Sequence, residues 1–260
     1  MIDIGVNFHS PQLKGKAQDL ISQAKTAGLT GIMATGTSLA SSRLARTLAG
    51  SHPGYIWATA GVHPHSAKDW SPAVESDLEN LWKSPAIVAV GEAGLDYNRM
   101  FSSLADQKFA FERQIEAAIR TGKPLFLHCR DAFNDFRAMT KEAASRGAHG
   151  VVHCFTGTRK QALAHLDDGF DIGITGWVAD PARGIDLRDA VKALPLARLH
   201  LETDAPYLMP RNIPKRGPVN VPANVVWVAR AIAEIKGCSE EEVRSTCEQN
   251  SRKLFGLKSA

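Results

Sequence analysis

A chain of 260 residues, 44% hydrophobic and 22% charged, has an ordinary globular composition that excludes disordered, collagen-like and coiled-coil classes. At this length folding buries roughly three quarters of the surface that the unfolded chain exposes, ample for a full core. The net charge of +4 is too small to announce a polyanionic partner, so any nucleic-acid binding must come from a local basic patch.

The first residues, Met1-Ile2-Asp3-Ile4-Gly5, carry neither the basic nor the apolar region of a secretory signal. No apolar stretch approaches the length of a membrane span. Cys129, Cys154, Cys238 and Cys247 form no C-x-x-C pair, and a chain of this size needs no staples. The expectation is a soluble, reduced, cytoplasmic protein with no membrane association and no evident obligate protein partner.

Along the chain, short apolar runs predict strands at 2–7, 31–35, 56–60, 87–91, 124–128, 151–154, 170–175 and 199–203. Several are apolar on both faces, as parallel strands covered on two sides require. Helical patterns fill the intervals. Ala17, Leu20, Ile21 and Ala24 form one stripe ahead of Gly28, and Phe111, Ile115, Ala118 and Ile119 form another ahead of Gly122. Ser71-Pro72 reads as N-cap and first helical residue. Other helices should end near Gly50, Gly147 and Gly169. Eight strand-then-helix units in series predict an α/β protein, a (β/α)8 TIM barrel, as one domain over 1–260; a doubly wound open sheet is the alternative. After the eighth strand, 206–222 holds five prolines with Arg211, Lys215 and Arg216, a predicted loop over one mouth of the barrel. Helices over 224–236 and 239–249 close the chain.

Barrel enzymes carry their chemistry at the C-terminal ends of strands. Here those ends read Gly61-Val62-His63-Pro64-His65, Gly91-Glu92-Ala93-Gly94-Leu95-Asp96, Leu127-His128-Cys129-Arg130-Asp131, Val152-His153-Cys154-Phe155-Thr156-Gly157 and Glu202-Thr203-Asp204-Ala205-Pro206. Each alone has a bland reading: a hydrogen-bonded rim histidine, a turn-capping aspartate, a solvated glutamate. Five strands delivering imidazole or carboxylate at one relative position predict a divalent-metal site. There is no G-x-G-x-x-G and no Walker loop.

These motifs resemble the TatD family of metal-dependent deoxyribonucleases, within the metal-dependent hydrolase superfamily of barrels. The resemblance runs from residue 3 to the Asn250…Phe255-Gly256 tail and is strongest to the TatD-proper subgroup, described as magnesium-dependent 3′–5′ exonucleases on single-stranded DNA and RNA. It implies Glu92, His128, His153 and Asp204 as metal-site residues, with His63 and His65 near the substrate phosphate. One departure stands out: where most relatives carry His-x-His on strand one, this chain has Gly5-Val6-Asn7. TatD proper shares that gap, which bears on whether one or two ions are held. His9 has the right parity to compensate but lies further out.

The residue types then suggest phosphodiester hydrolysis by a metal-activated water. Asp204 would orient and deprotonate the water, and Glu92 would ligate the ion. His63 would hydrogen-bond the scissile phosphate or protonate the leaving oxygen. Arg130 could pair with a phosphate, or equally with Asp131 or Asp96. Arg211 and Tyr207 could grip a single strand, or belong to a solvated proline-rich lid. Cys129 and Cys154, alternating with the histidines, should be small buried hydrophobes turned away from the site. Two histidines favour zinc, manganese or iron, while the carboxylates and the family point to magnesium or manganese, with zinc able to enter. The alternative functions are a metal-dependent barrel hydrolase of a small amide or lactone, and a non-enzymatic binding protein that kept the barrel.

Overall fold

The computed structural model describes residues 1–258. Among them, eight strands alternate with helices: β1 (Ile2–Val6), β2 (Gly31–Ala34), β3 (Ile56–Ala60), β4 (Ile87–Asp96), β5 (Leu125–Arg130), β6 (Gly150–Val152), β7 (Asp171–Ile174) and β8 (Leu199–Leu201). The helices are α1 (Ala17–Thr26), α2 (Leu39–Ser51), α3 (Pro72–Trp82), α4 (Leu104–Thr121), α5 (Phe133–Ser145), α6 (Arg159–Asp167), α7 (Ile185–Ala193), α8 (Val225–Lys236) and α9 (Glu240–Phe255). The strands form one sheet in chain order, β1 to β8, the order of a (β/α)8 barrel. That is the fold class which the alternation predicts. No helix among the described residues is long and apolar enough to cross a membrane.

The chain divides into two compact units, one of 1–33, 154–167 and 171–260, the other of 34–153 and 168–170. In the second unit β3, β4, β5 and β6 pair in parallel. Their buried side chains, among them Ile56, Ile87, Leu125, Phe126, Val151 and Val152, meet the inner faces of the helices at Leu78, Trp82, Phe111 and Phe136. Trp82 donates its indole N–H to the Ala60 carbonyl at 2.8 Å, so the largest core ring leaves no buried donor orphaned. In the first unit β7 pairs with β8 in parallel, and a bridge joins Val6 to Ala205. On β8 the wholly buried His200 bonds Ser251 of α9 at 2.9 Å and Asp171 of β7 at 3.0 Å, tying the last helix to the sheet.

Local sequence explains most helix ends. Ser71 caps α3 through the Val74 N–H with Pro72 at the first position, and Ser103 caps α4 through the Asp106 N–H. Gly122 ends α4 at φ +67, a conformation that costs a residue with a Cβ. The structure corrects several expected bounds. α2 ends at Ser51, near Gly50 as expected, but α9 continues past Gln249 to Phe255 because Val243, Cys247, Ser251 and Phe255 form one continuous buried stripe. β6 and β8 stop short, leaving His153 and Cys154 on a turn and Thr203 and Asp204 beyond the strand end. β4 extends five residues beyond Gly91, because 93–96 pair with 127–130 of β5.

Candidate active site

The extension of β4 builds the site in the second unit. The register with β5 shifts between Gly91 and Ala93, so Glu92 is the bulged residue. Both flanking glycines are required: Gly91 (φ +141) and Gly94 (φ +148) lie where a Cβ would strike the carbonyl oxygens of Phe126 and His128. Thus Gly-Glu-Ala-Gly bends the strand tightly against β5 and leaves Glu92 buried, 5% exposed.

Three imidazoles close on one oxygen of that carboxylate. His153 Nε2 lies 2.7 Å from Glu92 Oε1, His128 Nδ1 3.1 Å and His63 Nε2 3.3 Å. One carboxylate oxygen has two lone pairs, so three ring nitrogens over-subscribe it. His63, Glu92 and His128 offer donor atoms within 4.8 Å of one another, a group able to hold a metal ion. Burial by itself would raise the Glu92 pKa, but His153, His63 and His128 hold the carboxyl well below the usual range. It is therefore an anion.

Asp96, four residues along β4, faces two of the histidines. Its Oδ2 meets His65 Nε2 at 2.8 Å and His128 Nε2 at 3.2 Å, while Oδ1 accepts the N–H groups of Asn98 and Arg99. Burial opposes ionisation here too, but the bonds from His128 and His65 keep this carboxyl charged. His128 is thereby held between two carboxylates, which raise its pKa against the effect of burial. For His63, burial wins and lowers the pKa to about 4, so the ring is neutral at physiological pH. Its Nδ1 accepts the His65 backbone N–H at 3.1 Å. A neutral ring that accepts at Nδ1 carries its hydrogen on Nε2.

In the first unit, Asp204 stands on a turn at φ +52. Asn7 Nδ2 donates to its Oδ1 at 2.8 Å, so the asparagine just after β1 aims the carboxylate. The turn is anchored from beneath by Asp3, which accepts the Thr203 N–H at 2.9 Å and bonds the Thr203 hydroxyl at 2.6 Å. Burial pushes the Asp3 pKa from 3.8 up to about 8. Folding therefore takes up a proton between those values, and Asp3 costs stability as pH rises through that window. In denaturant titrations from pH 5 to 8, Asp3→Asn should lose stability less steeply than the parent protein, with the gap widening toward pH 8. Equal slopes would contradict a protonated Asp3.

The proline-rich segment has no regular structure up to Val221, and side-chain amides staple it. Asn220 Nδ2 donates to the carbonyls of Thr203 and Tyr207, and Asn212 Nδ2 to that of Trp227. Tyr207 is 51% exposed. Arg211 lies 3.6 Å from Asp180, beside a cleft of about 670 Å³ that Arg183 and Asn212 also line.

A model of the TatD-related DNase family matches residues 2–256. The chain belongs to that family. It is 45% identical over 259 residues to a protein of Erwinia billingiae named 3'-5' ssDNA/RNA exonuclease TatD, with 99% of each chain covered. A protein of the same name from Edwardsiella piscicida is 46% identical over 259 residues, covering 99% of this chain and all of that one. The crystal structure of a TatD homologue from Escherichia coli matches with a TM-score of 0.91 at 26% identity, over 99% of this chain and 98% of that one. An uncharacterized amidohydrolase of Saccharomyces cerevisiae shares the fold, with a TM-score of 0.85 at 23% identity over 98% and 99% of the two chains.

Of the expected site residues, His63, His65, Glu92, His128 and His153 come together in the second unit. Asp204, Tyr207 and Arg211 belong to the first, each in the setting just described. His9 lies beyond β1, half-buried. Arg130 forms the ion pair with Asp131, at 3.8 Å with both side chains exposed, an arrangement worth little. Cys129 and Cys154 are half-buried, not buried as expected: β6 ends at Val152, so alternation does not reach Cys154, which sits at φ +47 with its N–H on Glu202. The sequence reading missed Asp96 as the partner of His65 and His128. Its signal was present in the even spacing from Glu92 along one strand.

Proposed function

We propose that this chain is a metal-dependent exonuclease that hydrolyses single-stranded DNA and RNA from the 3′ end, in keeping with the names of its relatives. The observation that carries the reading is the over-subscribed Glu92 oxygen: an anion crowded by three imidazoles, two of them with a nitrogen to offer a metal, fits a divalent cation better than those groups fit one another. The family match runs through both units, which supports treating 1–260 as one catalytic domain. Four free cysteines support a reducing, cytoplasmic setting.

Glu92, His128 and His153 are the residues that would hold the ion, magnesium or manganese in use with zinc able to enter; for Asp204 the same role rests on the Glu-Thr-Asp-Ala-Pro motif. When bound, a divalent cation acidifies a water and polarises a phosphoryl oxygen. The chain's own groups supply the rest. Asp96 takes the Nε2 hydrogen of His128 and so presents Nδ1 as the ligating atom. Asp204, whose Oδ1 accepts from Asn7 Nδ2, is the carboxylate that would accept a proton from water. His63 is a hydrogen-bond donor, not a ligand, because its Nδ1 is already occupied by the His65 N–H. Its Nε2–H is directed to the phosphate or leaving oxygen. His65, Arg130, Tyr207 and Arg211 would contact the strand.

The test is protein stripped of metal, resupplied with magnesium, manganese or zinc, and given end-labelled single- and double-stranded oligonucleotides. Stepwise shortening from the 3′ end that disappears in His128→Ala and Asp204→Ala supports the reading. Cleavage that persists in both variants refutes it. Asp96→Asn should weaken metal binding roughly 10–100-fold by calorimetry, since it frees His128 to turn or change tautomer. An unchanged affinity would remove Asp96 from this role.

A further inference from the structure

Phe101 stands 61% exposed, between the exposed Arg99-Met100 pair and the N-terminus of α4. The loop that carries it is nonetheless fixed. Asp96 Oδ1 accepts the N–H groups of Asn98 and Arg99 at 3.0 and 2.8 Å. Beyond the phenyl ring, the buried Ser102 hydroxyl donates to the His65 carbonyl and accepts the Lys68 N–H, both at 3.1 Å. The buried Gln107 amide spans the loop, donating to the carbonyls of Asp96 and Ser102 at 3.0 and 3.1 Å. Buried polar groups on both sides thus hold an aromatic ring in water.

The ring's contact with a histidine of the site points to its use. Phe101 meets His65 edge-on, centroids 4.8 Å apart. His65 in turn meets His63 at 4.2 Å, and His63 meets His128 at 4.4 Å. A row of rings therefore leads from solvent to the Glu92 cluster, with Phe101 as its outer member. The exposed Arg99 lies two residues before Phe101 on the same loop, and the Tyr97 N–H at the start of that loop bonds the carbonyl of Arg130 at 2.8 Å. An exposed aromatic face beside cations and a phosphate-binding cluster is the composition of a single-strand stacking platform.

We propose that Phe101 stacks on a nucleobase of the bound strand and so positions the phosphate of a terminal nucleotide at His63. The proposal rests on the nuclease reading above. The probes are single-stranded oligonucleotides, intact or with an abasic site at each of the last three nucleotides in turn. Phe101→Ala should raise KM for the intact strand roughly tenfold, the equivalent of about 1.4 kcal/mol, with a smaller change in kcat. Phe101→Trp should restore KM, whereas Phe101→Leu, apolar but without a π face, should not. One abasic position should raise KM for the parent protein by a similar factor and add little in Phe101→Ala. An unchanged KM, equal abasic penalties in both proteins, or an effect of Phe101→Ala confined to self-association in sedimentation would each overturn the proposal. Shortening of oligonucleotides with any of those results leaves the nuclease reading standing. If the parent protein shortens none with any divalent metal, both fall.

Discussion

Replacing Glu92 with glutamine should remove metal binding and lower the exonuclease rate at least about a thousandfold, some 4 kcal/mol of transition-state stabilisation. The substitution keeps the size of the side chain and removes its charge. Burial, which alone would neutralise Glu92, is outweighed by His153, His63 and His128, so the native group is an anion at every working pH. The amide keeps an acceptor oxygen but carries no charge, so it can neither balance a divalent cation nor hold the surrounding imidazoles as the anion does. Removing a partner that merely orients a ligand costs metal affinity roughly 10–100-fold, and removing the anionic ligand itself should exceed that. Thermal melts give a second readout. Manganese or zinc should raise the melting temperature of the parent protein by mass action and leave that of Glu92→Gln where it was. Retained activity with an unaltered metal response would move the ion elsewhere.

His63→Ala should lower kcat by about 10²–10³, the range for losing one positioned hydrogen-bond donor, while calorimetric metal affinity stays close to the parent value. The split follows from the tautomer. The His65 N–H occupies Nδ1 of His63, and burial keeps the ring neutral above its pKa of about 4, so Nε2 retains its hydrogen. A nitrogen that carries hydrogen donates to oxygen and does not ligate a cation. The His63 contribution should accordingly stay constant from pH 6 to 8 instead of titrating near 6.5, and His63→Gln, which retains a donor, should recover part of the loss. A fall in metal affinity as deep as that of Glu92→Gln would place His63 among the ligands. The same low pKa predicts that folding releases a proton between about 4 and 6.5, so His63 contributes to acid lability. His63→Ala should be the less acid-sensitive protein.

Much of this arrangement is legible in the sequence because it is local. Strand ends, the Ser71-Pro72 start and the Gly122 stop are written in adjacent residues, and the motifs name five side chains that the second unit gathers. What is missed depends on pairing partners far along the chain. The length of β4 is set by 127–130 of β5, and that pairing turns Glu92 into a bulge and brings Asp96 under two histidines. Nor does a histidine in a sequence declare which nitrogen is free: for His63 the answer comes from a backbone N–H two residues on. The end of α9 fails to show at Gln249 because polar residues there mask a buried stripe that continues to Phe255. Phe101 looks like any loop aromatic until the bonds around it are seen.

The amide staples at Asn212 and Asn220 isolate residues 213–219 as an insert whose two ends are pinned independently of what lies between them. Evolution, or an engineer, can lengthen, shorten or recharge that insert without repaying the cost of rebuilding the turn that carries Asp204.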